Sequence, residues 1–135
     1  MESTTQTAPI STKRLWTGRV LTTLIVLFMI FDGVIHIMKP PAVVEAFKEL
    51  GLPLRLSVPI AIVELACLAL YAIPQTCILG AILLTGYLGG AVAIQVFAGH
   101  PLFSQTLFPV YFAAVMWAGI YLREDRLRGL VPLRR

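Results

Sequence analysis

The chain has 135 residues, enough for one domain and too few for two. Hydrophobic residues make up 58% of it and charged residues only 13%, against roughly 25% in soluble domains, so most of the surface must face lipid. The net charge of +4 does not point to nucleic acid, because five of the eleven basic residues (Arg123, Arg126, Arg128, Arg134 and Arg135) crowd into the last thirteen positions and form no stripe with interleaved aromatics.

Residues 1–14, MESTTQTAPISTKR, are polar and rich in Ser and Thr, and are expected to be a disordered cytoplasmic tail. The apolar stretch that follows is too long for a signal-peptide core, contains Asp32, and ends at Lys-Pro-Pro without a small-x-small cleavage site. It is read as the first of four spans, Leu15 to Met38. The second runs from Leu54 to Ile73, the third from Thr76 to Gly99, and the fourth from Leu107 to Leu122, with a start at Pro101 or Leu102 as the longer option. Each approaches the ~20 residues needed to cross a ~30 Å hydrocarbon core. Tight connections at Pro74-Gln75 and Gly99-His100-Pro101 predict antiparallel neighbours. Residues 15–130 are thus expected to be an all-α, four-helix membrane domain, followed by a basic tail at 131–135.

The long connection after span 1 carries a helix of its own. In PPAVVEAFKELGLP, Pro41 suits a first helical turn and Gly51 the position just past a helix end. Val43, Val44, Phe47 and Leu50 recur at helical spacing, with Glu45, Lys48 and Glu49 opposite. This pattern predicts a short amphipathic helix lying in the membrane interface.

Eight basic residues fall on the side of the termini and three (Lys39, Lys48 and Arg55) on the other. That asymmetry predicts a multi-pass cell-membrane protein with both termini cytoplasmic. Trp16 and Tyr121 then suit the inner interface as aromatic anchors.

With that topology the buried polar residues gather in the outer leaflet. Asp32 lies six residues from the end of span 1, about 9 Å deep at 1.5 Å per residue, with His36 one turn above it. Glu64, about ten residues into span 2, is the deepest charge at ~15 Å. Gln95 lies near the outer end of span 3, His100 caps that end, and Tyr111 is about a turn into span 4. A charged side chain at depth costs about 2.5–3.5 kcal/mol on insertion scales and should face the bundle interior and its own kind. Three readings stay open. Asp32, His36 and Glu64 form a hydrogen-bonded knot that fixes helix register, or they wall a ligand-binding or proton-handling pocket together with Gln95, His100 and Tyr111, or the cluster is a catalytic centre.

In TGYLGGAVA, Gly86 and Gly90 make a GxxxG, and Gly89 with Ala93 repeats the spacing, which predicts close helix packing, within the bundle or between protomers. Cys67 and Cys77 are read as small apolar packing residues, and no Cys/His spacing suits zinc.

These residues resemble the DoxX-like family of small four-helix membrane proteins. The matching stretches are Asp32, KELGLP at 48–53, Glu64 with the Ile-Pro at 73–74, LGAILLTGYLGGA at 79–91, GHPLF at 99–103 and WAGIYLR at 117–123. The resemblance implies one four-helix domain with an extra loop helix and an association with quinone-linked redox systems. It marks Asp32, Glu64, Gly89 and Gly90 as pattern positions and assigns no reaction.

Three functions compete. The favoured one is binding of a lipophilic molecule, a quinone or a lipid, in the outer-leaflet pocket, as a component of a membrane redox system with a homo-oligomeric or redox partner. The second is a small proton-coupled transporter, against which the one-sided placement of the polar groups argues. The third is an enzyme, for which no nucleophile–base pair, metal cluster or phosphate loop is visible.

Overall fold

The computed structural model describes residues 11–130, and every regular element among them is helical. Most of the expected N-terminal tail and all of the basic tail at 131–135 lie outside the described residues. Helix α1 spans Thr12–Met38, α2 Pro41–Glu49, α3 Ser57–Ala72, α4 Cys77–Phe97, α5 Phe108–Arg123 and α6 Asp125–Arg128. A 3-10 turn, Leu54–Leu56, leads into α3, and a π turn, Leu102–Thr106, leads into α5.

Four of these segments are long and apolar enough to cross a membrane: Thr12–Met38, Leu54–Ala72, Cys77–Phe97 and Leu102–Arg123. The chain is therefore an integral, multi-pass membrane protein. The first span starts three residues before the expected Leu15, so Thr12–Arg14 are helical rather than part of a disordered tail. The cause is an N-cap, since Ser11 Oγ accepts the Arg14 N–H at 3.3 Å. The fourth span takes its longer option. The Thr106 and Leu107 N–H groups donate five residues back, to Pro101 and Leu102, and carry the helical backbone past the Gly99–Pro101 break.

The spans form a ring in which α1 touches α3, α3 touches α4, α4 touches α5, and α5 closes on α1. Side-chain pairs show the direction of each seam. Ser57 at the start of α3 meets His36 at the end of α1, while Tyr71 at the end of α3 meets Thr22 near the start of α1. Glu64 meets Tyr87 between α3 and α4, and Trp117 Nε1 on α5 donates to Thr85 Oγ1 on α4 at 2.8 Å. The α1–α3 pair is therefore antiparallel, and so is α3–α4, where Gly80 near the start of α4 lies against Tyr71 at the end of α3. Ile25, Met29, Leu68, Tyr71, Leu84, Met116 and Ile120 fill the centre. The outward faces carry Leu24, Leu27, Ile62, Val63, Leu79, Ile82 and Val115, all exposed, as lipid-facing surfaces require.

Close helix approaches occur at glycines other than those of the GxxxG. A Cβ on Gly18 would stand 2.8 Å from the Gly119 carbonyl oxygen, so α1 and α5 cross backbone to backbone there. A Cβ on Gly80 would stand 2.2 Å from the Tyr71 nitrogen, because the short α3–α4 turn draws the two helices together. At Gly86, Gly89 and Gly90 a Cβ would meet nothing within 4 Å. Of the two options for these three, packing within the bundle is corrected. Their faces of α4 are exposed, and the small-residue spacing leaves an opening instead of a contact.

Helix α2 forms as its periodicity predicts. Pro41 opens it, Val43 and Phe47 are buried, and Glu45, Lys48 and Glu49 are exposed. Lys39 ends α1 in the left-handed region at φ 52°, and Gly51 ends α2 at φ 69°, where the Leu52 N–H reaches back to the Phe47 carbonyl at 2.9 Å. These two turns lay α2 across the end of the bundle.

Candidate functional site

At that end α1 delivers Asp32 and His36 from successive turns, and α3 delivers Glu64 from the facing helix. His36 Nδ1 lies 2.8 Å from the Asp32 carbonyl oxygen and 3.3 Å from Asp32 Oδ2. One donor atom from each of Asp32, His36 and Glu64 lies within 4.8 Å of the others, so these three could hold a metal ion. The set is assembled from two helices and leaves no spacing signature in the sequence. Glu64 is 1% exposed, the most buried carboxyl group among the described residues.

Neighbouring residues fix the trio. Tyr87 Oη on α4 donates to Glu64 Oε2 at 3.2 Å. Ser57 Oγ, fully buried, donates to the His36 carbonyl at 2.5 Å, which supplies a donor to a carbonyl near the end of α1. The Phe47 ring of α2 meets the His36 ring edge-on, with centroids 5.8 Å apart. Helix α2 thus covers His36 from above.

Beside the trio opens a groove of about 360 Å³ between α2, α3 and α4. Phe47, Leu50 and Leu52 form its roof, Ile60 one side, and Gly86, Gly90, Ala91 and Ile94 the α4 wall. Its polar lining consists of His36, Tyr87 and Gln95. On α4 the lining residues fall into two stripes at four-residue spacing, Gly86–Gly90–Ile94 and Tyr87–Ala91–Gln95. The bare glycine stripe gives the groove its depth.

The six expected site residues divide three ways. Asp32, His36 and Glu64 come together, and Gln95 lines the same groove as His36. His100 stands one step away, with its Nδ1 hydrogen-bonded to Gln95 Oε1, and borders an adjoining depression of about 250 Å³ that Gln95 and Leu50 also line. Tyr111 lines neither. Its hydroxyl donates to the Phe103 carbonyl at 3.2 Å on the exposed face of α5, so its expected place in the pocket is corrected.

Tyr87 is the residue that sequence reasoning passed over. It sits eight positions before Gln95, two turns down the same face, which was the available signal. Its position inside the Gly-rich run drew attention to packing instead.

The sequence model of the DoxX-like family matches residues 20–119, from the first turns of α1 to the last turn of α5. No curated protein and no solved structure matches the chain. The family match spans well over half of the sequence and takes in most of the first and fourth membrane spans and all of the second and third, together with Asp32, His36, Glu64 and the groove. The chain therefore belongs to the DoxX-like family.

Proposed function

We propose that the groove binds a lipophilic molecule with a hydrogen-bonding head, of which a quinone is the best match, and that the protein serves as a non-catalytic component of a membrane redox system. The observation that carries this reading is the groove itself. It is predominantly apolar, has the volume of a small ligand site, and offers polar groups at a few points only. Because His100 engages Gln95 Oε1, the Gln95 amide N–H₂ is left to donate to a carbonyl or hydroxyl on the ligand. His36 and Tyr87 supply polar groups at the other end of the α4 wall. The glycine stripe leaves room for an isoprenoid or acyl chain to pass along α4 towards lipid.

On this reading the site lies in the outer leaflet, as the eight-to-three distribution of basic residues favours. The concentration of polar groups towards one end of the bundle supports binding over transport through a midplane site.

The test is native mass spectrometry of the protein purified in mild detergent, followed by titration of the delipidated protein with a soluble quinone analogue. The expected result is a retained lipophile at one per chain, and quinone affinity lowered at least about tenfold in Gln95→Leu. A protein that retains no lipophile, and binds the quinone equally well with and without Gln95, would overturn the proposal.

A further inference from the structure

We propose that Asp32, His36 and Glu64 form a three-ligand site for one divalent first-row transition cation, at the head of the groove and independent of what the groove holds.

The first observation is geometric. Donor atoms from a histidine and two carboxylates lie within 4.8 Å of one another, and a cation with ligand distances of about 2.0–2.2 Å draws them together by small side-chain movements. The second is electrostatic. Buried charges in proteins are paired or coordinate metals. Among the described residues Glu64 makes no ion pair, and the only ion pair at this end of the bundle is His36–Asp32. With two carboxylates and a neutral imidazole, a dication brings the cluster to zero net charge inside a medium of low dielectric.

The third observation is the shell around the trio. Tyr87 Oη holds Glu64 Oε2, the Asp32 carbonyl holds His36 Nδ1, and Ser57 Oγ holds the His36 backbone. Metal ligands are commonly oriented by such hydrogen bonds. An entry path also exists, since the Asp32 and His36 side chains are 34% and 20% exposed while Glu64 closes the site from within.

The donor set selects the class of ion. Mg²⁺ and Ca²⁺ prefer all-oxygen surroundings, whereas imidazole suits zinc, iron and nickel. Three protein ligands leave a further coordination position open to water.

The experiment uses the full chain in detergent, freed of any affinity tag and stripped with a chelator. Zn²⁺ is titrated calorimetrically, and bound metal is counted by elemental analysis after gel filtration. The expected result is one Zn²⁺ per chain, retained in excess Mg²⁺. Affinity should fall at least about tenfold in Asp32→Asn and Glu64→Gln, and stay unchanged in Glu45→Gln on the exposed face of α2 and in His100→Gln beside Gln95. Co²⁺ added to the wild-type chain gives a readout that does not depend on the variants folding. Ligand-field bands should appear and be bleached by Zn²⁺. Absence of stoichiometric Zn²⁺, or of Co²⁺ bands, would overturn the proposal and leave the trio holding protons alone. So would equal affinity in folded Asp32→Asn and Glu64→Gln, or a loss that follows His100 instead.

Discussion

Replacing Gly86 by leucine separates the groove from the packing of the bundle. A Cβ at Gly86 meets nothing within 4 Å, and glycine is the poorest helix former after proline, so the substitution has no steric cost to set against a gain in helix propensity. Stability should stay within about 0.5 kcal/mol of wild type. The comparison variant is Gly80→Ala. Its new methyl would lie 2.2 Å from the Tyr71 nitrogen and 2.5 Å from its Cα, so the α3–α4 seam must open by more than an ångström. Overpacking of that kind costs about 1–3 kcal/mol, and contact with backbone places this site at the upper end. On ligand binding only Gly86→Leu should act, because Gly86 lines the groove and Gly80 does not. The groove holds about 360 Å³, near the lower limit for small-molecule sites, and the leucine side chain projects into it. If it displaces ~60 Å² of apolar ligand contact, the loss at ~25 cal/mol per Å² is about 1.5 kcal/mol, or roughly tenfold in affinity. Thermal unfolding in detergent and quinone titration measure the two effects. A Gly86→Leu protein that melts as low as Gly80→Ala, or that binds quinone as wild type does, would refute this account of the α4 wall.

Ser57→Ala removes the buried donor to the His36 carbonyl and should cost about 1–2 kcal/mol in detergent unfolding, whereas Ser57→Thr should retain much of the stability. Thr85→Val deletes the acceptor of the Trp117 indole N–H between α4 and α5, and a loss near 0.6 kcal/mol is expected, the average for hydrogen bonds between membrane helices. Reporter fusions after Arg135 and within residues 42–50 should lie on opposite sides of the membrane, and matching sidedness would remove the assignment of the site to the outer leaflet.

Hydropathy, turn signals and the apolar stripe of α2 made the four spans and the short helix legible, because each depends on local composition and period. Asp32 and His36 were legible as a pair for the same reason, being one turn apart on one helix. Their meeting with Glu64 followed from the rule that charges at depth seek one another. The glycines were not legible, since spacing shows that a helix face is small without showing whether another helix lies against it. Gly18, Gly80 and Gly119 take the close approaches because the seams happen to cross there. Gly86 and Gly90 have the better motif and face a groove. Tyr111 was assigned by depth alone, and the rotation of α5 turns it away from the pocket.

The bond from Ser57 to the His36 carbonyl also bears on how the chain enters the bilayer. Of the four described spans α1 precedes α3, and alone it carries Asp32 and an end turn with unsatisfied carbonyls. The side chain that supplies a donor to this turn is on the next span, Ser57 at its beginning. A lone α1 could relieve that polarity only by riding high, with its last turn in the headgroups. Pairing with α3 lets the same turn settle to depth. The smallest unit that inserts without exposing polar backbone to lipid is therefore the α1–α3 hairpin, with α2 left at the surface because its charged face has nothing to pair with below.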